Sequence, residues 1–325
     1  MTKAAFHVTG VLSMDRLTQE GQEVFCAGSS GLYVSVALAR LGHPVQFWSQ
    51  VGPDFRWPLL EALQPECIAW RLRTVPGATA RLSIEYDAAG HIARFHYDPG
   101  VGRRLRAEML DASFWSAPCA WLGAAFPDFQ LEVARRAAKA GQAVYLSPQG
   151  DYDGRWPDLA PLLPHLSGVF MNSREVQALC GLPLPEAVQR LCAGRPALLC
   201  SMTCGQRGAL LVWRERLHRI NACCMPLVNA TGAGDTYAAA LAHWLLEGAT
   251  LEDSLRAATV AAGLSMRCAA YWGVAREAEV LAELASRRSE LTVASAPLDS
   301  LQADEWLQAE ASAGRQDAMP QRSQA

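Results

Sequence analysis

The sequence lacks long apolar runs and a strong excess of charge of one sign. No apolar run in the 325 residues approaches the ~20 residues that a transmembrane helix needs. The chain start, Met1–Val8, lacks the long apolar region of a signal peptide. The net charge of −3 provides no basic field that would attract nucleic acid. We therefore expect a cytoplasmic protein that binds neither membranes nor nucleic acids.

The sequence also lacks closely spaced cysteine pairs of the CxxC type. Its 10 cysteines are scattered through apolar segments, and Cys223 and Cys224 alone are adjacent. This distribution predicts reduced, mostly buried thiols and no cysteine metal cluster. Half of the residues are apolar and 19% are charged, which is typical of a soluble globular protein. The length suits one large α/β domain or two ordinary ones.

Short apolar strands alternate with helical patterns along most of the chain. This alternation predicts an α/β fold with a doubly wound, mostly parallel sheet sandwiched by helices. The predicted strands are Phe6–Leu12, Val45–Val51, Trp121–Gly123, Ala143–Leu146, Val169–Met171, Ala197–Ser201 and Gly208–Trp213. The predicted helices are Leu32–Leu41, Leu59–Leu63, Asp128–Ala140, Leu159–Leu166, Ser173–Cys180, Pro185–Cys192, Tyr237–Leu246 and Leu251–Cys268.

One segment departs from this alternation. Ala80–Tyr97 reads as a β-hairpin with one polar face and a turn at Asp87–Gly90. Together with a peripheral strand at Thr18–Phe25, it predicts a small β lid built from about residues 12–27 and 78–100. We expect one large domain over residues 1–290 and a C-terminal extension over 291–325. The end of that extension, Gly314–Ala325, is predicted to be disordered.

The most informative feature is the glycine-rich segment Asn229–Tyr237. Gly232 and Gly234 let the backbone approach a ligand closely, and the N–H groups of Ala233, Gly234 and Asp235 can face an anion at the start of a helix. Asp235 beside such an anion hole is a suitable base for an incoming hydroxyl. The pattern indicates phosphoryl transfer from a nucleotide to an alcohol. An ordinary glycine turn capped by an Asp is the alternative.

This segment resembles the C-terminal signature D-T-x-G-A-G-D of the ribokinase family, the PfkB-type carbohydrate kinases. Gly232–Asp235 match the signature, whereas Asn229 and Ala230 stand for its first Asp and Thr. The resemblance covers roughly residues 6–290. It implies a ribokinase-like fold, ATP and Mg²⁺ as cofactors, a monovalent cation beside the signature, a sugar-like small-molecule substrate and a homodimer formed through the lid.

The N-terminal part resembles the first signature of the same family. Gly28 and Gly31 match its glycines, and Tyr33 stands where the family has an Asn that binds substrate hydroxyls. Asp15 follows the first strand, where family members have an Asp that accepts hydrogen bonds from two substrate hydroxyls. Asp54 ends the segment Val51–Asp54, which resembles the V-G-x-D motif that family members have near the substrate site. These five residues are the predicted substrate-binding residues, although a glycine-rich loop and a solvated Asp would also explain Gly28 and Asp15.

Two further motifs follow predicted strands. Asn172 and Glu175 match the family's N-x-x-E, which implies a Mg²⁺ site, but their spacing also satisfies a helix capping box. Thr203, Gly205 and Gly208 match T-x-G-x-x-G, which implies a nucleotide-binding turn. A plain hairpin turn would account for the same three residues.

Together these features predict an ATP-dependent small-molecule kinase that phosphorylates a hydroxyl of a sugar or sugar derivative. Asp235 is its predicted base, and Gly232, Ala233 and Gly234 form its anion hole. Two alternatives stay open. One is a nucleoside kinase of the same fold, and the other is a non-catalytic nucleotide-binding regulatory protein.

Overall fold

The chain folds around two β-sheets. A computed structural model describes residues 3–87, 92–148, 158–303 and 307. The strands are β1 (Phe6–Thr9), β2 (Ser13–Gln19), β3 (Gln22–Gly28), β4 (Val45–Val51), β5 (Ala69–Thr74), β6 (Ala80–Tyr86), β7 (Ile92–Asp98), β8 (Cys119–Leu122), β9 (Ala143–Leu146), β10 (Gly168–Asn172), β11 (Leu199–Thr203), β12 (Ala209–Trp213), β13 (Arg216–Ile220) and β14 (Val293–Pro297). The helices are α1 (Ser30–Arg40), α2 (Pro58–Glu61), α3 (Pro127–Lys139), α4 (Ser173–Cys180), α5 (Leu184–Cys192), α6 (Ala233–Leu246), α7 (Leu251–Ser265) and α8 (Glu277–Arg287).

The main sheet has ten strands in the order β14-β13-β12-β11-β10-β9-β8-β1-β4-β5. The strands from β5 to β11 are parallel, and β12, β13 and β14 add an antiparallel edge. This confirms the predicted doubly wound, mostly parallel sheet. Because β1 lies between β4 and β8, the strand order reverses at β1, and ligands of such sheets bind beyond the carboxyl ends of the strands at that point.

Helices cover both faces of the main sheet. One apolar core contains residues of α1, α6, α7 and α8, and the other contains residues of α3, α4 and α5. The first core includes a stack of three rings from adjacent strands, in which the Trp121 centroid lies 5.3 Å from that of Tyr145 and 5.0 Å from that of Phe170. Within the described part of the chain, no helix combines the length and apolarity needed to cross a membrane.

The small sheet is the predicted lid. Its strand order is β3-β2-β6-β7, and β2 pairs antiparallel with β3 and parallel with β6. The predicted single strand Thr18–Phe25 is wrong, because a two-residue turn at Glu20 and Gly21 divides it into β2 and β3. Both turn residues have positive φ angles, 49° and 79°, as a tight hairpin requires. The predicted hairpin turn of the lid lies largely outside the described residues.

Two other expectations need correction. The predicted helix Leu159–Leu166 is only a short 3₁₀ turn at Leu163–His165, because Pro161 and Pro164 remove the backbone donors that a longer helix needs. The predicted domain boundary at residue 290 falls before β14, which pairs antiparallel with β13. The C-terminal extension therefore begins with a strand of the main sheet. The tail predicted to be disordered lies outside the described residues.

Candidate active site

The glycine loop ends at the start of α6. Gly232 has a φ of 78° and precedes the first helical residue, and no side chain caps the helix. The Ala233 amide donates to the Ala230 carbonyl at 3.1 Å, so it is already engaged, contrary to the expectation that it faces an anion. The amides of Gly234 and Asp235 remain for a ligand at the positive end of the helix dipole. The anion hole thus has two free backbone amides, whereas the sequence predicts three.

Asp235 lies in the first turn of α6 and is partly buried. Burial raises the pKa of its carboxyl group to about 7, since charge is unfavourable in a poorly solvated site. A carboxyl group with this pKa changes its protonation near neutral pH. The arrangement can therefore accept a proton from a hydroxyl bound beside the Gly234 amide.

Tyr33 lies directly against the glycine loop. A Cβ atom on Gly232 would come within 2.0 Å of Tyr33 Cδ1, so only glycine permits this contact. The Tyr33 side chain is 2% exposed, and its hydroxyl is buried without a hydrogen-bond partner. Burial raises the pKa of that hydroxyl, and the nearby charges of Asp15 and Asp235 raise it further. Tyr33 thus lies within electrostatic reach of both predicted functional carboxylates.

Asp15 projects from β2 into the buried side of the lid and is 2% exposed. Its Oδ1 accepts a hydrogen bond from Ser13 Oγ at 2.5 Å, whereas Oδ2 has no partner. Burial raises the pKa of the Asp15 carboxyl group to about 7. A Cβ atom on Gly28 would lie 1.7 Å from Oδ2. Glycine at position 28 therefore makes room for a carboxylate oxygen that is left available for a ligand.

The first signature continues into α1. Ser29 caps the helix, and its side chain accepts from the Leu32 amide, but its φ of 131° and ψ of 159° fall in a region that only glycine adopts freely. Gly31 packs against the end of β8, since a Cβ atom on Gly123 would lie 2.7 Å from Gly31 Cα. Gly31 therefore brings the start of α1 close to the sheet, where a Cβ atom on it would lie 3.0 Å from the Phe47 ring.

The lid contacts the glycine loop through Tyr86, a residue that the sequence analysis did not select. The Tyr86 hydroxyl hydrogen-bonds to the hydroxyl of Thr231. The Asn229 side chain also bonds to Tyr86 and accepts from the Thr231 amide at 2.9 Å. No motif marks Tyr86, and only its place in the lid hairpin could have suggested it. This contact joins β6 to the segment that precedes the anion hole.

Asp54 is engaged in anchoring the lid. Its Oδ1 accepts from the amide and the hydroxyl of Thr79, each at 2.8 Å. Its Oδ2 accepts from Arg81 Nη2 at 2.8 Å. Thr79 Oγ1 also accepts from the Gly52 amide at 2.9 Å. Asp54 therefore holds the junction between the main sheet and β6, and its role in substrate binding stays a prediction.

Asn172 and Glu175 form a capping box at the start of α4, the alternative that their spacing allowed. Asn172 Oδ1 accepts from the Glu175 amide at 2.8 Å, and Glu175 Oε2 accepts from the Asn172 amide at 2.8 Å. Burial raises the pKa of Glu175 to about 7; the Asn172 hydrogen bond opposes this, and the charge of Asp235 adds to it. The geometry therefore brings Glu175 near Asp235 as well as into the cap.

The segment with Thr203, Gly205 and Gly208 is the turn between β11 and β12. Gly205 and Gly208 have φ angles of 55° and 106°, and a Cβ atom on Gly208 would lie 2.0 Å from the Ile220 carbonyl oxygen. A Cβ atom on Gly234 would lie 3.7 Å from Thr203 Oγ1. The end of β11 is thus adjacent to the anion hole, and the turn is also the hairpin turn that the sequence permits.

The structure brings most of the predicted residues to one place. Asp15 and Tyr33 lie beside the Gly232 loop, Glu175 lies near Asp235, and Thr203 lies near Gly234. Asp54 and Gly31 are held by contacts within the fold.

The sequence is similar to those of known carbohydrate and nucleoside kinases. A family model described as pfkB family carbohydrate kinase matches residues 11–270. A cytidine kinase of Thermococcus kodakarensis is 24% identical over 255 residues, which cover 77% of this chain and 91% of that protein. A ribokinase of Lactococcus lactis is 28% identical over 306 residues, covering 87% and 97%.

Solved structures show the same fold. The structure of Arabidopsis thaliana ribokinase complexed with ribose and ATP has a TM-score of 0.74 at 24% identity, covering 87% of this chain and 99% of that chain. The structure of adenosine kinase from Sinorhizobium meliloti has a TM-score of 0.73 at 19% identity, covering 89% and 100%. Since the family model spans most of the sequence, the chain belongs to the pfkB family of carbohydrate kinases, phosphotransferases that act on an alcohol group.

Proposed function

We propose that this kinase transfers the γ-phosphoryl group of ATP to a hydroxyl group of a sugar or sugar derivative. The observation that carries the proposal is the placement of two carboxyl groups, Asp15 and Asp235, around Tyr33 at the glycine loop. One carboxyl group belongs to the lid and the other to the start of α6. A small acceptor held by the first would present a hydroxyl to the second.

Asp235 is the proposed general base. Its pKa of about 7 lets it accept a proton near neutral pH, where a base of ordinary carboxylate pKa would be weaker. The amides of Gly234 and Asp235, with the dipole of α6, stabilise negative charge that develops on the transferred phosphoryl group. Gly232 and Ala233 set the shape of the loop, since Gly232 adopts a positive φ.

Asp15 is the proposed acceptor-binding residue. Its Oδ2 is buried and has no partner, and an unpaired carboxylate oxygen in such a place is costly. Neighbouring hydroxyls of a sugar would donate to this oxygen and supply the missing hydrogen bonds. Gly28 gives that oxygen its space. In this proposal the same bound molecule also contacts Tyr33, whose hydroxyl lacks a partner as well.

The nucleotide is assigned to the turn that carries Thr203, Gly205 and Gly208, beside Gly234. Mg²⁺ fits Glu175, because the nearby charge of Asp235 is unfavourable for the Glu175 carboxylate, and a divalent cation would compensate that charge. Mg²⁺ would supply charge neutralisation for the phosphates. Asn172 contributes through the capping box that orients Glu175. The resemblance to the family also implies a monovalent cation beside the glycine loop. Comparing the activity in K⁺ with that in Na⁺ tests this cation.

A nucleoside kinase is the second candidate. The cytidine kinase relative, matched over 91% of its length, favours it, as does Tyr33 in place of the Asn that the carbohydrate-kinase signature has. Both candidates use Asp235 as the general base and the same anion hole. They differ in whether the acceptor carries a nucleobase, which would extend beyond Asp15 and Tyr33.

A coupled ADP-release assay tests both candidates. The panel contains pentoses, hexoses, their monophosphates and ribonucleosides, and the Asp235→Asn variant measures ATP hydrolysis that does not depend on the base. Turnover with free sugars or their phosphates supports the sugar kinase, and turnover with nucleosides alone supports the second candidate. If no compound with neighbouring hydroxyls is phosphorylated faster than in the Asp235→Asn control, the proposed function is wrong.

We also propose that two copies associate through the lid. The edge strands β3 and β7 carry exposed apolar side chains: Phe25 is 54% exposed, Ile92 40% and Phe95 36%. Exposed apolar sheet edges favour association. Light scattering after size exclusion should show a dimer that Phe25→Ser weakens.

We also propose a cytoplasmic location. The ten cysteines are all free thiols, which supports this location.

A further inference from the structure

Two buried histidines lie at the end of α6 that is far from the glycine loop. His243 is on α6 and is fully buried, and His43 follows α1 and is 4% exposed. His43 Nε2 lies 2.8 Å from His243 Nδ1. One ligand atom each from His43, His243 and Glu247 lie within 4.8 Å of one another. His243 and Glu247 are four residues apart on the helix, so their side chains share a face.

No placement of protons on the two neutral rings gives every ring nitrogen a suitable hydrogen-bond partner. His43 Nδ1 lies 2.8 Å from the Ala4 carbonyl oxygen, which only accepts, so Nδ1 carries the proton and Nε2 of the neutral ring is a bare acceptor. If His243 Nδ1 donates to it, His243 Nε2 has no proton. That atom is buried without a partner and faces Glu277 Oε1 at 3.9 Å, which is another acceptor.

The other neutral form of His243 is no better. With the proton on Nε2, the ring can donate toward Glu277, but the lone pairs of His243 Nδ1 and His43 Nε2 then face each other at 2.8 Å. A second proton on His243 would remove the conflict. Burial opposes it, since burial lowers the pKa of His43 and lowers that of His243 to about 3. Lys3, which contacts Glu277, adds to the opposition.

We propose that His43 Nε2, His243 Nδ1 and a carboxylate oxygen of Glu247 bind one divalent transition-metal ion of the zinc class. An ion between the two nitrogens uses both lone pairs, and it leaves the proton of His243 on Nε2, where it can donate to Glu277. Ala4 and Glu277 then hold the two rings as a carbonyl and a carboxylate commonly hold metal-binding histidines. Two imidazoles and one carboxylate are ligands that zinc accepts.

The required movement is small. Zn–N bonds of about 2.0–2.1 Å in a tetrahedron place two nitrogens roughly 3.3 Å apart, so the rings separate slightly. Glu247 is exposed on the last turn of α6, and its side chain can turn toward the ion without moving the backbone. The bound ion would fasten the end of α6 to the segment after α1. α6 carries Asp235 in its first turn and α1 begins two residues after Gly28, so the ion would stabilise the fold behind the active site.

Cobalt serves as the probe, because Co²⁺ takes zinc sites and absorbs visible light when it is bound by four ligands. Metal-stripped full-length protein is titrated with Co²⁺ and then with Zn²⁺ as competitor, and melting is followed in parallel. We expect one equivalent of Co²⁺ per chain, a melting temperature that rises with metal concentration, and displacement by Zn²⁺. The variants Glu247→Gln and His43→Gln should each weaken binding at least about tenfold.

Matched controls are Glu252→Gln and His96→Gln, which change exposed residues of the same types elsewhere. Glu247→Gln lies on the surface and should fold normally, so loss of binding in that variant is not loss of fold. Absence of Co²⁺ binding by the wild type, or binding that persists unchanged in Glu247→Gln and His43→Gln, overturns the proposal.

Discussion

Asp15→Asn should stabilise the ligand-free protein at pH 8 while it weakens acceptor binding. In the wild type, the Asp15 carboxyl group is 2% exposed, and one of its oxygens has no partner. Removing the charge removes an uncompensated buried anion. The same change deletes the acceptor oxygen that a substrate hydroxyl needs. Stability and binding should therefore move in opposite directions in this variant.

The pH dependence gives the magnitude. Burial raises the pKa of Asp15 from 3.8 to about 7 in the folded chain. The native state therefore binds more protons than the unfolded state between these values, so stability is full at low pH and is lost as pH rises toward 7. Between pH 5 and pH 7, two pH units at 1.36 kcal/mol each correspond to about 3 kcal/mol. The amide of the variant does not titrate, so the variant should lack this loss.

Urea unfolding at pH 5, 6, 7 and 8 measures the effect. The amide leaves its own N–H groups unpaired, which costs about 1–3 kcal/mol at every pH, so the informative quantity is the change of the mutational effect with pH. We expect Asp15→Asn to gain about 3 kcal/mol relative to wild type on going from pH 5 to pH 8. Its acceptor Kd should rise roughly 10- to 150-fold, the equivalent of 1.5–3 kcal/mol, with little change for ATP analogues.

Asp98→Asn is the matched control, because Asp98 is an exposed Asp of the lid sheet. Its effect on stability is measured at the same four pH values and subtracted from that of Asp15→Asn. If the difference does not change with pH, the Asp15 carboxyl group is not held in an uncompensated buried site. If it harms the binding of ATP analogues and spares the acceptor, the two binding sites have been assigned the wrong way round.

Three further predictions concern the loop, the metal and the first signature. Asp235→Asn should lower turnover by about 10²–10⁴-fold with nucleotide binding retained, and wild-type turnover would remove Asp235 from the role of base. Glu175→Gln keeps a capping box with Asn172, so it should raise the Mg²⁺ concentration needed for half-maximal activity without lowering the melting temperature; unchanged metal dependence with a lower melting temperature contradicts the metal role. Ser29→Gly should raise the free energy of unfolding by about 1 kcal/mol, because relief of 1–3 kcal/mol of backbone strain exceeds the lost cap and the added chain entropy; urea unfolding that shows a loss of stability contradicts it.

The alternation of strands and helices predicted the main sheet, because buried parallel strands and their helices leave continuous apolar segments. It did not reveal β5 (Ala69–Thr74), whose residues are mostly exposed or half-buried. It also missed β13 and β14, which form an antiparallel edge. The turn at Glu20 and Gly21 was missed because Glu is an unusual residue at a positive φ. Edge strands and turns of this kind depend on tertiary contacts that a local pattern does not contain.

The candidate site was predictable where a motif requires backbone shape or charge. Gly28, Gly232 and Asp235 could be selected for that reason. The Tyr86 contact with Thr231 could not, since it joins residues 145 positions apart, Tyr86 lies in no motif and Thr231 occupies the variable position of its signature. Asp54 shows the converse. Its V-G-x-D motif suggested the substrate, but the sequence could not show that Thr79 and Arg81 would occupy its oxygens.

Several unfavourable features lie together at the candidate site, and their combination bears on function more than any single motif. Asp15 Oδ2 and the Tyr33 hydroxyl are buried without partners, and Ser29 has a strained backbone. Burial also raises the pKa values of the Asp15, Glu175 and Asp235 carboxyl groups to about 7. A fold optimised for stability alone would replace such groups, because each costs on the order of 1–3 kcal/mol. Donors on an acceptor and a divalent cation would remove most of these costs on binding. Ligand binding should therefore raise the melting temperature of the kinase more than the contact area alone would suggest.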